Sequence, residues 1–105
     1  MKLIFAIVSS DDSSNVITEL VKNRYSATKL ATTGGFLRAG NVTIIIGTDD
    51  DKVERAIEII SEQSKSRMQF VPAFPELDME SMGDQEVKVG GATIFVVNVE
   101  EFYKV

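Results

Sequence analysis

The chain has 105 residues, of which 44% are hydrophobic and 26% charged, and a net charge of -5. That size bounds it to one small domain, the composition is globular rather than disordered, and the acidic balance argues against general affinity for nucleic acid or anionic membrane. With no cysteine and no histidine, disulfides, thiolate zinc sites and cysteine-held clusters are excluded, and the commonest metal ligand and general base are missing.

Leu3 to Val8 is a continuous apolar run that predicts a buried strand. It is too short for the full layout of a signal peptide, polar Ser9-Ser10-Asp11-Asp12 follows at once, and no segment approaches transmembrane length, so a cytoplasmic chain is expected. Asp11-Asp12-Ser13-Ser14 offers oxygen side chains to start a helix, in which Val16, Ile17, Leu20 and Val21 recur at helical spacing up to about Lys22. Arg24 to Thr32 reads as a second strand, Gly34 to Gly40 as a glycine-punctuated loop, and Val42 to Gly47 as the clearest strand after the first.

Thr48-Asp49-Asp50-Asp51 opens the second helix, its carboxylates lying at the positive end of the helix dipole. Val53, Ala56, Ile57 and Ile60 form its buried stripe, and Glu54, Glu58 and Glu62 its solvated side. Met68 to Val71 predicts a short strand ended by Pro72. Residues 73–84 have no clean period and read as an acidic loop. Glu86 to Val89 and Ala92 to Val99 flank Gly90-Gly91, giving either a hairpin or one strand broken by a bulge, and Glu100 to Lys104 is a last helical turn or tail. With the β-segments after the second helix taken as one region, the order is strand, helix, strand, strand, helix, strand. That predicts a single α+β domain over residues 1–105: a ferredoxin-like βαββαβ sandwich, its antiparallel sheet carrying both helices on one face.

The chemistry concentrates between Ala27 and Asn41. No acidic residue falls between Glu19 and Asp49, whereas Lys22, Arg24, Lys29 and Arg38 all do. Glycines that bring backbone amides close, threonine hydroxyls and positive charge suit an anionic ligand, and Phe36 and Leu37 could pack a flat base or another subunit. A long hairpin loop whose Phe and Leu fold back on the core explains the block equally well. It lacks the Gly-Lys-Ser/Thr end of a Walker motif, and no helix follows it directly as a dinucleotide fingerprint requires. Gly90-Gly91 and Gly47 are further points of close backbone approach, with a bulge the simpler account of the pair. The Asp49-Asp50-Asp51 run lacks the alternating ligands of a calcium loop and fits helix capping better, so no metal is expected. No hydroxyl has a histidine to activate it, and only Lys29 or Tyr25 remains as a base, with nothing to single either out. A non-enzymatic binder without a cofactor is expected.

The uninterrupted run Ala27-Thr28-Lys29-Leu30-Ala31-Thr32-Thr33-Gly34-Gly35-Phe36-Leu37-Arg38-Ala39-Gly40-Asn41 closely resembles the cyclic di-AMP receptor family, PII-like signalling proteins found mainly in Gram-positive bacteria. Val89-Gly90-Gly91-Ala92-Thr93-Ile94-Phe95-Val96 resembles that family's final strand. The resemblance implies a homotrimer of ferredoxin-like subunits that binds three cyclic di-AMP molecules in clefts between neighbours, with loops rearranging to signal to a downstream protein the sequence does not name. It implies that Thr28 bonds a phosphate or base edge and that Gly35, Phe36 and Leu37 line the adenine pocket. Asn41 and Gly47 would add polar and backbone contacts, and Gly90, Gly91 and Ala92 would approach from the glycine-paired strand.

One departure stands out: family members often carry an arginine at the position held here by Ser26. Strand alternation would place Arg24, Ser26 and Thr28 on one face, so Arg24 is expected to reach around Ser26 to a phosphate; unchanged affinity in Arg24→Ala would sink that idea. Residues 73–84 also look short beside the family's loop, which puts a partner-binding role there in question. The alternatives are a PII-like sensor of ATP or ADP, a ligand-free structural trimer, and a ferredoxin-like acyl-phosphate hydrolase. The last is disfavoured because Ser9-Ser10-Asp11-Asp12 is acidic where an arginine-bearing phosphate loop is expected.

Overall fold

The computed structural model describes residues 1–30, 40–71 and 85–105. Gly35, Phe36 and Leu37, and the acidic segment 73–84, lie outside the described residues. Strand β1 (Lys2–Ser9) leads into helix α1 (Ser10–Lys22), followed by β2 (Ser26–Leu30) and β3 (Asn41–Thr48). A single 3-10 turn, Asp50–Lys52, opens helix α2 (Val53–Gln63), and β4 (Arg67–Val71), β5 (Gln85–Val89) and β6 (Ala92–Asn98) complete the chain. A four-stranded antiparallel sheet runs in the order β2-β3-β1-β6, and β4 pairs with β5 in a separate two-stranded sheet. The fold is α+β and ferredoxin-like, with the β4–β5 arm inserted between α2 and the last strand of the main sheet.

Strand alternation decides where the core sits. Ile4, Ala6 and Val8 of β1 and Ile44 and Ile46 of β3 point to one face, where they bury against Val16 and Leu20 of α1 and Ala56, Ile59 and Ile60 of α2. Ile59 joins the stripe expected for α2, while Val53 packs on its margin. Each of the valine, leucine and isoleucine side chains contributes about 1.5–3 kcal/mol of burial. The opposite face carries Leu3, Phe5 and Ile7, Ile45, and Phe95 and Val97. Neither helix covers it, and Phe95 is 55% exposed.

Ser9, rather than the Asp11–Ser14 run, caps α1: its backbone is extended, and the Asp12 N–H donates to its Oγ at 3.3 Å. At the other end the Arg24 N–H donates to the Val21 carbonyl (3.0 Å) and the Tyr25 N–H to that of Leu20 (2.9 Å). These paired bonds form a Schellman motif, which requires a left-handed residue just past the cap, and Arg24 takes that conformation with φ 68°. Strand β2 therefore starts at Ser26, not Arg24, and the face that Ser26 shares with Thr28 does not extend to Arg24. Asp49 occupies an extended position before the 3-10 turn but makes no side-chain capping bond. Asp50 instead meets the Met1 amino group at 3.0 Å.

Gly90 and Gly91 form neither a hairpin nor a bulge within one sheet. Strand β5 pairs only with β4, β6 pairs with β1, and the two glycines turn the corner between the sheets with φ 81° and 86°. The Gly91 N–H donates to the Ser64 carbonyl, fastening the corner to the end of α2. Residues 99–105 form no regular element, so the tail reading holds and the helical turn does not.

Candidate functional site

Two clefts gather the residues singled out from sequence. The first, about 480 Å³, opens on the helix-free face of the sheet and is lined by Met1, Leu3, Ser26, Thr28, Ile45, Gly47, Val99 and Phe102. Register explains the grouping: Gly47 pairs with both Ser26 and Leu3, and Ile45 with Thr28. All of these β-positions point away from the helices. Gly47 needs no left-handed backbone, and a Cβ there would meet nothing within 4 Å. Its missing side chain serves nothing inside the subunit and leaves bare backbone at the cleft. Among the described residues the lining side chains are apolar apart from the hydroxyls of Ser26 and Thr28.

The second cleft, about 330 Å³, lies near the other end of the sheet between the body and the base of the arm. Ile7, Val8, Ser9, Asn41, Ala92 and Thr93 line it from the body, and Ser66, Lys88, Gly90 and Gly91 from the arm and its corner. Ser9 pairs with Asn41, and Val8 with both Val42 and Ala92, which explains the first group. This cleft is the more polar: its described lining includes the Lys88 ammonium, the polar side chains of Ser9, Asn41, Ser66 and Thr93, and the glycine backbone. Gly90 is demanded by packing as well as by φ, and Gly91 by φ alone. A Cβ on Gly90 would lie 2.6 Å from both the Lys65 carbonyl oxygen and Arg67 Nη1.

The structure thus brings Ser26, Thr28 and Gly47 together, and separately Asn41, Gly90, Gly91 and Ala92. Gly47 lies six positions along β3 from Asn41, about 20 Å. Arg24, exposed in its turn, lines neither cleft. Tyr25 is buried, and its hydroxyl donates to the Lys52 carbonyl at 2.7 Å, a tie between the start of β2 and the start of α2. Lys29 lines neither cleft. Sequence reading missed Phe102, read only as tail, and Ser66 and Lys88, whose placement depends on the β4–β5 pairing. Among the described residues no helix is long and apolar enough to cross a membrane.

The chain is thus a small ferredoxin-like α+β domain with two clefts, of about 480 and 330 Å³, toward the two ends of its main sheet. The cyclic-di-AMP receptor family matches residues 1–105, and the chain belongs to that family. It is also similar to a crystal structure of a functionally unknown protein from Pediococcus pentosaceus. That similarity has 36% identity and a TM-score of 0.77, covering 99% of this chain and 96% of the other.

Proposed function

We propose that this protein is a non-enzymatic, PII-like cytoplasmic receptor that binds cyclic di-AMP between neighbouring copies of a homotrimer and needs no further cofactor. Ligand binding rearranges loops and so changes contact with a downstream protein. The observation that carries this reading is the split of Ser26, Thr28 and Gly47 from Asn41, Gly90, Gly91 and Ala92 into two clefts at opposite ends of one sheet. A ligand seated in either cleft leaves the other set unused, and a neighbouring copy supplies the missing half. The helix-free face favours such packing, because Leu3, Phe5, Ile7, Ile45, Phe95 and Val97 form a contiguous apolar surface that an isolated subunit leaves open to water.

The chemistry of the clefts suits the ligand. Leu3, Ile45, Val99 and Phe102 offer apolar surface to a purine ring, and Ser26 and Thr28 offer hydroxyls to a base edge or phosphate. Lys88, with the hydroxyls of Ser66 and Thr93, offers charge and donors to a phosphodiester. Calorimetric titration with cyclic di-AMP, cyclic di-GMP, ATP and ADP, alongside sedimentation, tests the reading. Saturable binding of cyclic di-AMP at one molecule per subunit of a trimer is expected. Preference for ATP or ADP, or turnover of an acyl phosphate, would overturn it.

A further inference from the structure

The first turn of α1 is the junction at which two otherwise separate parts of the molecule are tied down. The Ser10 N–H donates to the Gly40 carbonyl at 2.6 Å, fixing the end of the glycine-rich block. Two residues on, Asp12 reaches the base of the arm. Arg67 Nη2 donates to Asp12 Oδ1 at 3.0 Å and Nη1 to Oδ2 at 3.4 Å, a two-pronged pair between residues 55 positions apart. The Ser9 hydroxyl donates to Asp12 Oδ2 at 3.1 Å, and Arg67 Nη1 also donates to the Lys65 carbonyl at 3.1 Å.

The pair is asymmetric. The Asp12 side chain is 7% exposed and held by its own helix, whereas that of Arg67 is 47% exposed and belongs to the arm. A buried carboxylate deprived of its cation is strongly disfavoured, so Asp12 holds Arg67, and with it the arm, in one place. The pair also touches both walls of the second cleft. Ser9 stands on the body side and bonds Asp12, while Gly90 stands on the arm side, where a Cβ would lie 2.6 Å from both Arg67 Nη1 and the Lys65 carbonyl oxygen. The width of that cleft is therefore set by the contact between Asp12 and Arg67 together with the Gly91–Ser64 bond.

We propose that Asp12 and Arg67 are a positioning pair that couples ligand occupancy of the second cleft to the placement of the β4–β5 arm. A ligand that bridges the two walls favours one arm position, and by linkage the arm position sets the ligand's affinity. This inference rests on the cyclic di-AMP reading of the cleft and adds the route by which occupancy reaches the arm.

Two variants of the full chain test it. Asp12→Asn keeps shape without charge, and Arg67→Lys keeps charge without the fork. Cyclic di-AMP affinity is measured by calorimetry, fold by thermal melting, and arm placement by amide hydrogen exchange across β4 and β5 with and without cyclic di-AMP. In the wild-type protein the ligand is expected to slow exchange in both arm strands. In each variant affinity is expected to fall roughly tenfold and the ligand-induced protection of the arm to be lost, while exchange in β1 and β3 is unchanged. Wild-type affinity and arm protection in both variants would overturn the proposal, as would ligand binding to the wild-type protein with no response in the arm. No binding to the wild-type protein at all would instead remove the receptor reading on which the inference stands.

Discussion

Gly47 and Phe102 line one cleft, although one lies in the middle of the sheet and the other in the irregular tail beyond β6. Val99 and Phe102 of the tail join Leu3 and Ile45 around it, and the bare backbone at Gly47 leaves the space open. Gly47→Val is expected to fold normally, because nothing within 4 Å opposes a Cβ there, yet to weaken cyclic di-AMP binding at least tenfold, about 1.4 kcal/mol. Phe102→Ala is expected to weaken it similarly. Calorimetry with a parallel thermal melt checks both, and a large drop in melting temperature in either variant would count against this assignment.

Gly90 and Gly40 both have positive φ, 81° and 92°, but only Gly90 is also crowded. Gly90→Ala must adopt a strained backbone and push a methyl into the Lys65 carbonyl, a combined cost of about 2–4 kcal/mol. Gly40→Ala, with open space around it, meets the backbone cost alone, about 1–2 kcal/mol. Urea unfolding of the two variants should therefore rank them in that order.

Arg24 holds the left-handed position that glycine occupies most readily. Arg24→Gly is expected to stabilise the fold by about 0.5–1 kcal/mol, the relief at a left-handed site outweighing the added freedom of the unfolded chain. Because Arg24 lines neither cleft, cyclic di-AMP affinity should not change. Denaturant unfolding reads the first effect and calorimetry the second.

Phe95 lies opposite Phe5 on the uncovered face and is 55% exposed. Phe95→Asp leaves the helix-side core untouched and places a charge on the surface assigned to subunit packing. Sedimentation should show dissociation to a folded monomer, with circular dichroism unchanged.

The Met1 amino group, bonding Asp50 at 3.0 Å, holds the Asp50 carboxyl below its ordinary value of 3.8, and Lys2 adds a smaller electrostatic pull. A carboxyl lowered on folding contributes stability above its unfolded pKa, and that contribution is lost as pH falls through the lower folded value. Titration of the Asp50 carboxyl by NMR should show a midpoint below 3.8, and blocking the amino group should raise it toward that value. The effect on stability is small, since Asp50 is exposed.

The elements with strong local signals were legible from sequence: the apolar run of β1, the stripe of α1, and β3. Where the signal was weak, boundaries moved. Nothing local marks Arg24 as a left-handed cap, since the usual glycine is absent, so the strand face was drawn two residues too early. Gly90-Gly91 announced a special backbone but not which sheets it joined, because that depends on β5 pairing with β4 rather than with β6. The division of Ser26, Thr28 and Gly47 from Asn41, Gly90, Gly91 and Ala92 follows from register, which sequence spacing alone does not set. The contact between Asp12 and Arg67 is a pairing across 55 positions with no pattern to betray it, and Asp12 on its own looked like an ordinary residue of a helix start.

The strand order has a consequence for how the molecule is made. Strand β1 takes β3 as one neighbour and β6 as the other, so the first strand synthesised waits for the last. Until Ala92–Asn98 has been added, the four-stranded sheet lacks its last strand, with the β-bonding edge of Lys2–Val8 unpaired and its apolar side chains within reach of other nascent chains. Long-range pairings of this kind slow folding, because loop-closure entropy is lost before the contact forms. A product cut short before β6 would expose an aggregation-prone edge rather than a smaller working domain.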